Sequence, residues 1–178
     1  MIPLLVAFWI LVVFFGVIGS MRGWAREIMV TFSAIVGIFL IVVLENYVPA
    51  VRDTLVPGGG KPLFWERASI MVFLIFFGYQ TPNLKGWGAP RVRREKLQES
   101  LLGFFMGCVN GFIIFGSLWY YMWESAYPFE QITPPDIATQ IGQAASRLLE
   151  AFPPAWLTVP WIFYAVGLSF LFVIVVFI

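Results

Sequence analysis

Histidine is absent from the 178 residues of this chain. With it go the commonest general base, the usual zinc ligand and the usual axial ligand for haem or chlorophyll magnesium. One cysteine, Cys108, lies within an apolar run, so neither a disulfide framework nor a thiolate metal cluster is available. It reads as a small buried apolar residue. Charged residues are scarce at 12%, about half the usual share of a soluble domain. The net charge of +1 offers no basic surface for displacing phosphate counterions, so no nucleic-acid partner is expected. No charge falls near the centre of any long apolar run. Proton relays and ion-coupled transporters usually place one there, so that mechanism is disfavoured. No histidine or lysine accompanies a serine within a span, and Gly58-Gly59-Gly60-Lys61 lacks the spacing of a phosphate-cradling loop. No catalytic residue, metal site or cofactor is expected. Apolar grooves for a pigment or quinone leave little sequence trace and stay open.

Apolar residue types, by contrast, make up 60% of the chain, and mean hydropathy is +0.86. Five stretches are long enough to cross about 30 Å of hydrocarbon as helices. They run from about Pro3 to Gly19, Arg26 to Leu44, Leu63 to Tyr79, Leu101 to Trp123 and Pro160 to Ile178. They lack the period-2 alternation of barrel strands. The expected fold is an all-α integral membrane protein, a bundle of four to five transmembrane helices plus one amphipathic interfacial helix. Residues 1–125 form a four-helix domain, 126–160 an extracytoplasmic loop and 161–178 a fifth span. The first segment is expected to be a retained helix, since no basic residue precedes it and no small-x-small site follows before Arg22.

Seven of the eleven Lys and Arg residues fall in two loops on one side: Arg22 and Arg26, then Lys85, Arg91, Arg93, Arg94 and Lys96. The positive-inside rule puts loops 20–26 and 80–100 in the cytoplasm and the N-terminus outside. That describes a multi-pass protein of the cytoplasmic (inner) membrane. Trp119, Tyr120, Tyr121 and Trp123, with Trp156 and Trp161, are expected at the outer interface, and Trp24 and Trp87 at the inner one. Glu45, Glu66, Arg67 and Glu124 lie at or near span ends, where side chains snorkel. In the outer loop, Thr133-Pro134-Pro135-Asp136 is a helix-start signal. Ile137, Ile141, Leu148, Leu149 and Phe152 then recur at helical spacing, predicting an amphipathic helix on the membrane surface or against a partner.

Gly103, Gly107 and Gly111 stand four apart in the fourth span, with Gly116 beyond and Asn110 near the middle. Such a seam admits another backbone. Its plain use is packing within this chain; its sharper use is self-association or docking to another integral membrane protein. Asn110 is most simply interhelical glue, worth on the order of 1 kcal/mol. The inner turn has a topological role, with Glu27 favouring the dipole of the following helix. The sharper reading pairs Arg22 or Arg26 with anionic lipid, or with Glu95 or Glu99. The run Arg91, Arg93, Arg94 and Lys96 attracts membrane lipids or a cytoplasmic partner.

The turn Gly19-Ser-Met-Arg22-Gly23-Trp24-Ala-Arg26-Glu27 resembles the "RG-aromatic-x-RE" turn between the first two helices of the colicin V production protein (CvpA) family. Leu102-Gly103-Phe-Phe-Met-Gly107-Cys-Val-Asn-Gly111 is similar to the opening of that family's fourth helix. The resemblance covers about residues 3–125; Met1-Ile2-Pro3 replaces an acidic residue, and the fifth span has no counterpart. It implies a polytopic inner-membrane protein tied to toxin production or export and envelope homeostasis, with no defined reaction. It would mark Gly19, Arg22, Gly23, Arg26, Glu27, Gly103, Gly107 and Gly111. The leading expectation is a non-enzymatic scaffold or accessory subunit of a larger membrane complex. The alternative is a small-solute or peptide transporter or export component.

Overall fold

The computed structural model describes residues 3–80 and 93–177, the side chains of 93–95 and 176–177 excepted. It is all helical among the described residues: α1 (Leu4–Arg22), α2 (Trp24–Tyr47), a π-helical turn (Val51–Leu55), α3 (Val56–Gly58), α4 (Gly60–Tyr79), α5 (Arg93–Glu124), α6 (Gln140–Ala151), α7 (Pro153–Trp156) and α8 (Trp161–Phe177). Four of these, α1, α2, α4 and α5, are long and apolar enough to cross a membrane, and the chain is an integral membrane protein. At 17 residues, α8 would reach about 26 Å at 1.5 Å per residue.

One residue separates α1 from α2. Gly23 has φ 89° and ψ 153°, backbone that is essentially glycine-only. The two helices then diverge: α1 lies along α5, while α2 packs against α4, α5 and α8. Val30, Ala34, Ile38 and Ile41 form one face of α2 at helical spacing. They meet Met71 and Ile75 of α4, Ile114 and Tyr121 of α5 and Ile162 of α8 in the main core. Small residues draw α4 onto α2. A Cβ on Gly37 would lie 2.8 Å from Met71 Sδ, and one on Gly78 would lie 2.5 Å from Ser33 Oγ.

A second core caps the other side. Phe8 and Val12 of α1, Trp119 and Met122 of α5, and Ala145 and Leu149 of α6 close around Phe152. This corrects two sequence expectations. The amphipathic helix starts at Gln140, not after Thr133, because Thr139 is its cap and accepts from the Gly142 N–H at 3.0 Å. Asp136 instead closes a local turn, its Oδ1 accepting from the Ala138 N–H. The buried face of α6 is Gly142, Ala145 and Leu149, laid on the chain's own bundle, while Ile137 and Ile141 are exposed. Trp119 and Tyr121 are buried within the bundle, whereas Trp123, Trp156 and Trp161 stand exposed.

Candidate functional site: two buried charge clusters

The turn and the seam singled out in the sequence are one joint in three dimensions. Gly19 of α1 meets Gly103 and Gly107 of α5 backbone to backbone: a Cβ on Gly19 would come within 2.8 Å of Gly107 Cα and still closer to the Gly103 carbonyl oxygen. Further along, a Cβ on Gly107 would lie 3.0 Å from Gly16 Cα, and one on Gly111 2.9 Å from Val12 Cα. Gly116 faces Phe152. The seam is filled by α1 of this chain, so it is not an open docking groove. Cys108 faces Gly16 in the same interface.

That close approach brings α5 against α2 beside the turn, and there the polar residues gather. Glu27 is fully buried. Its Oε1 accepts from Arg22 Nη1 at 2.6 Å and its Oε2 from Asn110 Nδ2 at 2.8 Å. The same Asn110 amide also donates to the Glu27 carbonyl at 2.9 Å, and Asn110 Oδ1 lies 2.6 Å from the Thr31 hydroxyl. Arg22 completes the cluster by donating to the Tyr79 carbonyl at 3.2 Å and lying 4.3 Å over the Tyr79 ring. Glu27 is therefore a counter-ion of Arg22, not merely a dipole partner in a first turn. The reason is the one-residue turn, which starts α2 at Trp24 and turns Glu27 and Thr31, four apart, onto the α5 face. Arg26 is half-buried, and a Cβ on Gly23 would lie 3.0 Å from Glu99 Oε1.

A second cluster sits at the other end of α2, 18 residues or about 27 Å along its axis. Arg67 of α4 is 5% exposed. It holds Glu45 of α2 through Nε at 2.5 Å and Nη2 at 3.1 Å, and Glu124 of α5 through Nη1 at 2.6 Å. Its guanidinium lies 5.2 Å from the Tyr121 ring centroid. Snorkelling does not describe these groups: Arg67 is drawn inward as the shared counter-ion of two helix ends. Both Glu66 oxygens and the hydroxyls of Tyr121, Ser117 and Ser125 are buried without a hydrogen-bond partner among the described residues. Sequence reasoning missed this cluster because Glu45, Arg67 and Glu124 belong to three helices. Its available signal was that the span order places all three at one end.

Outside the spans, burial pushes the Tyr127 phenol up, opposed by the N–H that Trp119 donates to its oxygen at 3.1 Å. Hydrogen bonding to Arg52 holds the exposed Asp53 carboxyl low. Of the expected lipid or partner contacts, Arg91 and the side chains of Arg93 and Arg94 lie outside the described residues, and Lys96 is exposed; Lys85 and Trp87, expected on the same side, also lie outside them. Among the described residues no three metal-ligating side chains converge. Comparison with known proteins returned no matching family model, no matching curated protein and no matching solved structure.

Proposed function

We propose that this chain is a non-enzymatic scaffold or accessory subunit of a larger complex in the cytoplasmic membrane, its two basic loops inside and its N-terminus outside. One observation carries the reading. Between the two charge clusters the bundle interior holds no charged side chain among the described residues; Ala34, Ile38, Met71, Ile75 and Ile114 pack there, and Ser117 adds a single buried hydroxyl. A proton or ion relay needs polar groups across that span; a brace needs only its ends pinned. The Arg22–Glu27–Asn110–Thr31 network uses its hydrogen-bonding groups on its own helices, which is the economy of a structural joint.

Two further features agree. The hydroxyls of Ser20, Ser33, Ser146 and Ser169 each donate to a backbone carbonyl of their own helix. With the α5 glycines occupied, the outward surfaces are aromatic, among them Phe73, Phe76 and Phe77 on α4 and Phe105 on α5. α8 rests chiefly on α2, leaving Leu168, Leu171 and Phe172 outward. The resemblance to the colicin V production proteins supports a role in toxin export or envelope upkeep without a reaction of its own.

Extraction in mild detergent is expected to bring down stoichiometric membrane partners, and a photo-crosslinker at Leu168 to capture one of them. A monodisperse monomer without partners sinks the proposal. So does solute, peptide or ion flux in proteoliposomes holding this chain alone, which would establish the export-component alternative.

A further inference from the structure

A cavity of about 320 Å³ opens where the last turns of α2 and α5 meet the segment 153–160. Its lining includes Asn46 and Thr158, both exposed, and Tyr121, 3% exposed, whose hydroxyl is buried with no partner among the described residues. Glu45 and Glu124 stand on its wall. The nearest cation, Arg67, already gives Nε, Nη1 and Nη2 to those two carboxylates, so it has little left for an anion. Two carboxylates around one guanidinium leave a negative surplus. The space is far larger than a bare metal ion needs, and no three-ligand metal group is present among the described residues.

We infer that this cavity binds a primary ammonium group, held between Glu45 and Glu124 with the Tyr121 hydroxyl accepting one of its N–H bonds. An ammonium supplies what the walls lack: positive charge, and donors for acceptor oxygens. A quaternary ammonium has the charge but no N–H, so the cavity discriminates between them. The surrounding aromatic residues favour a lipid source. Trp123 and Trp156 stand exposed near the same end of the bundle, as indole rings do at head-group level. A phosphatidylethanolamine head group and a small soluble amine share the recognised chemistry.

Native mass spectrometry of the full chain separates the two sources. The protein is released from nanodiscs of phosphatidylethanolamine or phosphatidylcholine with identical acyl chains, and retained lipid is counted. In parallel, soluble ethanolamine and choline are titrated in detergent. Preferential retention of phosphatidylethanolamine by about tenfold is expected, the size of one charge-assisted hydrogen bond. Tyr121→Phe and Glu124→Gln should each erase most of that preference. Ethanolamine binding without lipid retention keeps the ammonium site and moves its source to solution. Equal retention of both lipids with no ethanolamine preference overturns the inference, and so does a preference that survives both variants. Should Tyr121→Phe fail to fold, Glu124→Gln decides alone, because that side chain is 36% exposed and Arg67 keeps Glu45.

Discussion

Replacing Glu27 by Gln removes one negative charge from a fully enclosed position and changes almost no volume. The Arg22 side chain is only 19% exposed, so its charge stays largely desolvated with no anion beside it. Breaking a buried pair on one side costs about 3–5 kcal/mol. A neutral hydrogen bond between membrane helices is worth only about 0.6 kcal/mol on average. The stranded charge, not the lost bond, should therefore dominate. The control follows from the same reasoning. Arg22→Met combined with Glu27→Gln leaves no stranded charge, and its cost should fall within about 1–2 kcal/mol of wild type. Unfolding by dodecyl sulfate in mixed micelles, followed by helical circular dichroism, gives both free energies. The reasoning is refuted if Glu27→Gln alone costs under about 1 kcal/mol, or if the double variant is no better than the single one.

Three further outcomes are expected. Gly107→Leu should cost at least about 3 kcal/mol and broaden the elution profile, because its Cβ would meet the α1 backbone, while Gly167→Leu, which meets nothing within 4 Å, should change neither. Arg67→Met strands Glu45 and Glu124 together and should cost about 3–5 kcal/mol in the same titration; adding Glu45→Gln and Glu124→Gln should recover most of the loss. The folded Tyr127 phenol is raised by burial, so its share of stability is complete below the unfolded value of about 10 and is lost as pH rises beyond it. Thermal melts through that alkaline range should show a slope that Tyr127→Phe reduces.

The spans were legible because continuous apolar runs of bilayer length admit few other readings, and their ends fell within a few residues except on α5. That helix begins at Arg93, well before the apolar stretch, since Arg, Glu, Lys and Gln are good helix formers that carry no apolar signal. The glycine spacing announced a close helix contact, but a four-residue repeat does not say whose backbone fills it. Asn110 stood out as polar in an apolar run; its partner Glu27 did not, because a carboxylate close to a basic turn looks solvated until the turn is known to be one residue long. The Glu45–Arg67–Glu124 cluster joins residues 22 and 57 positions apart, a separation no local periodicity encodes. Thr133-Pro134-Pro135-Asp136 carried every element of a cap, yet the chain uses Thr139, where the following Gly142 can approach the Asp136 carbonyl.

The separation of the two charge clusters also makes the protein a gauge of its bilayer. About 27 Å of α2 lies between Glu27 and Glu45, close to the thinner hydrocarbon found in some cellular membranes, where values run from about 27 to 33 Å. α5 carries 32 residues and can tilt to suit a thicker one. α2 cannot follow as freely, because both its ends are tied by ion pairs to neighbouring helices. In a thick bilayer, then, the lipid must thin around α2 or the ion pairs must be drawn into hydrocarbon. Acyl-chain length should thus act on this fold as a mechanical load, applied at Glu27 and Arg67 rather than spread along the bundle.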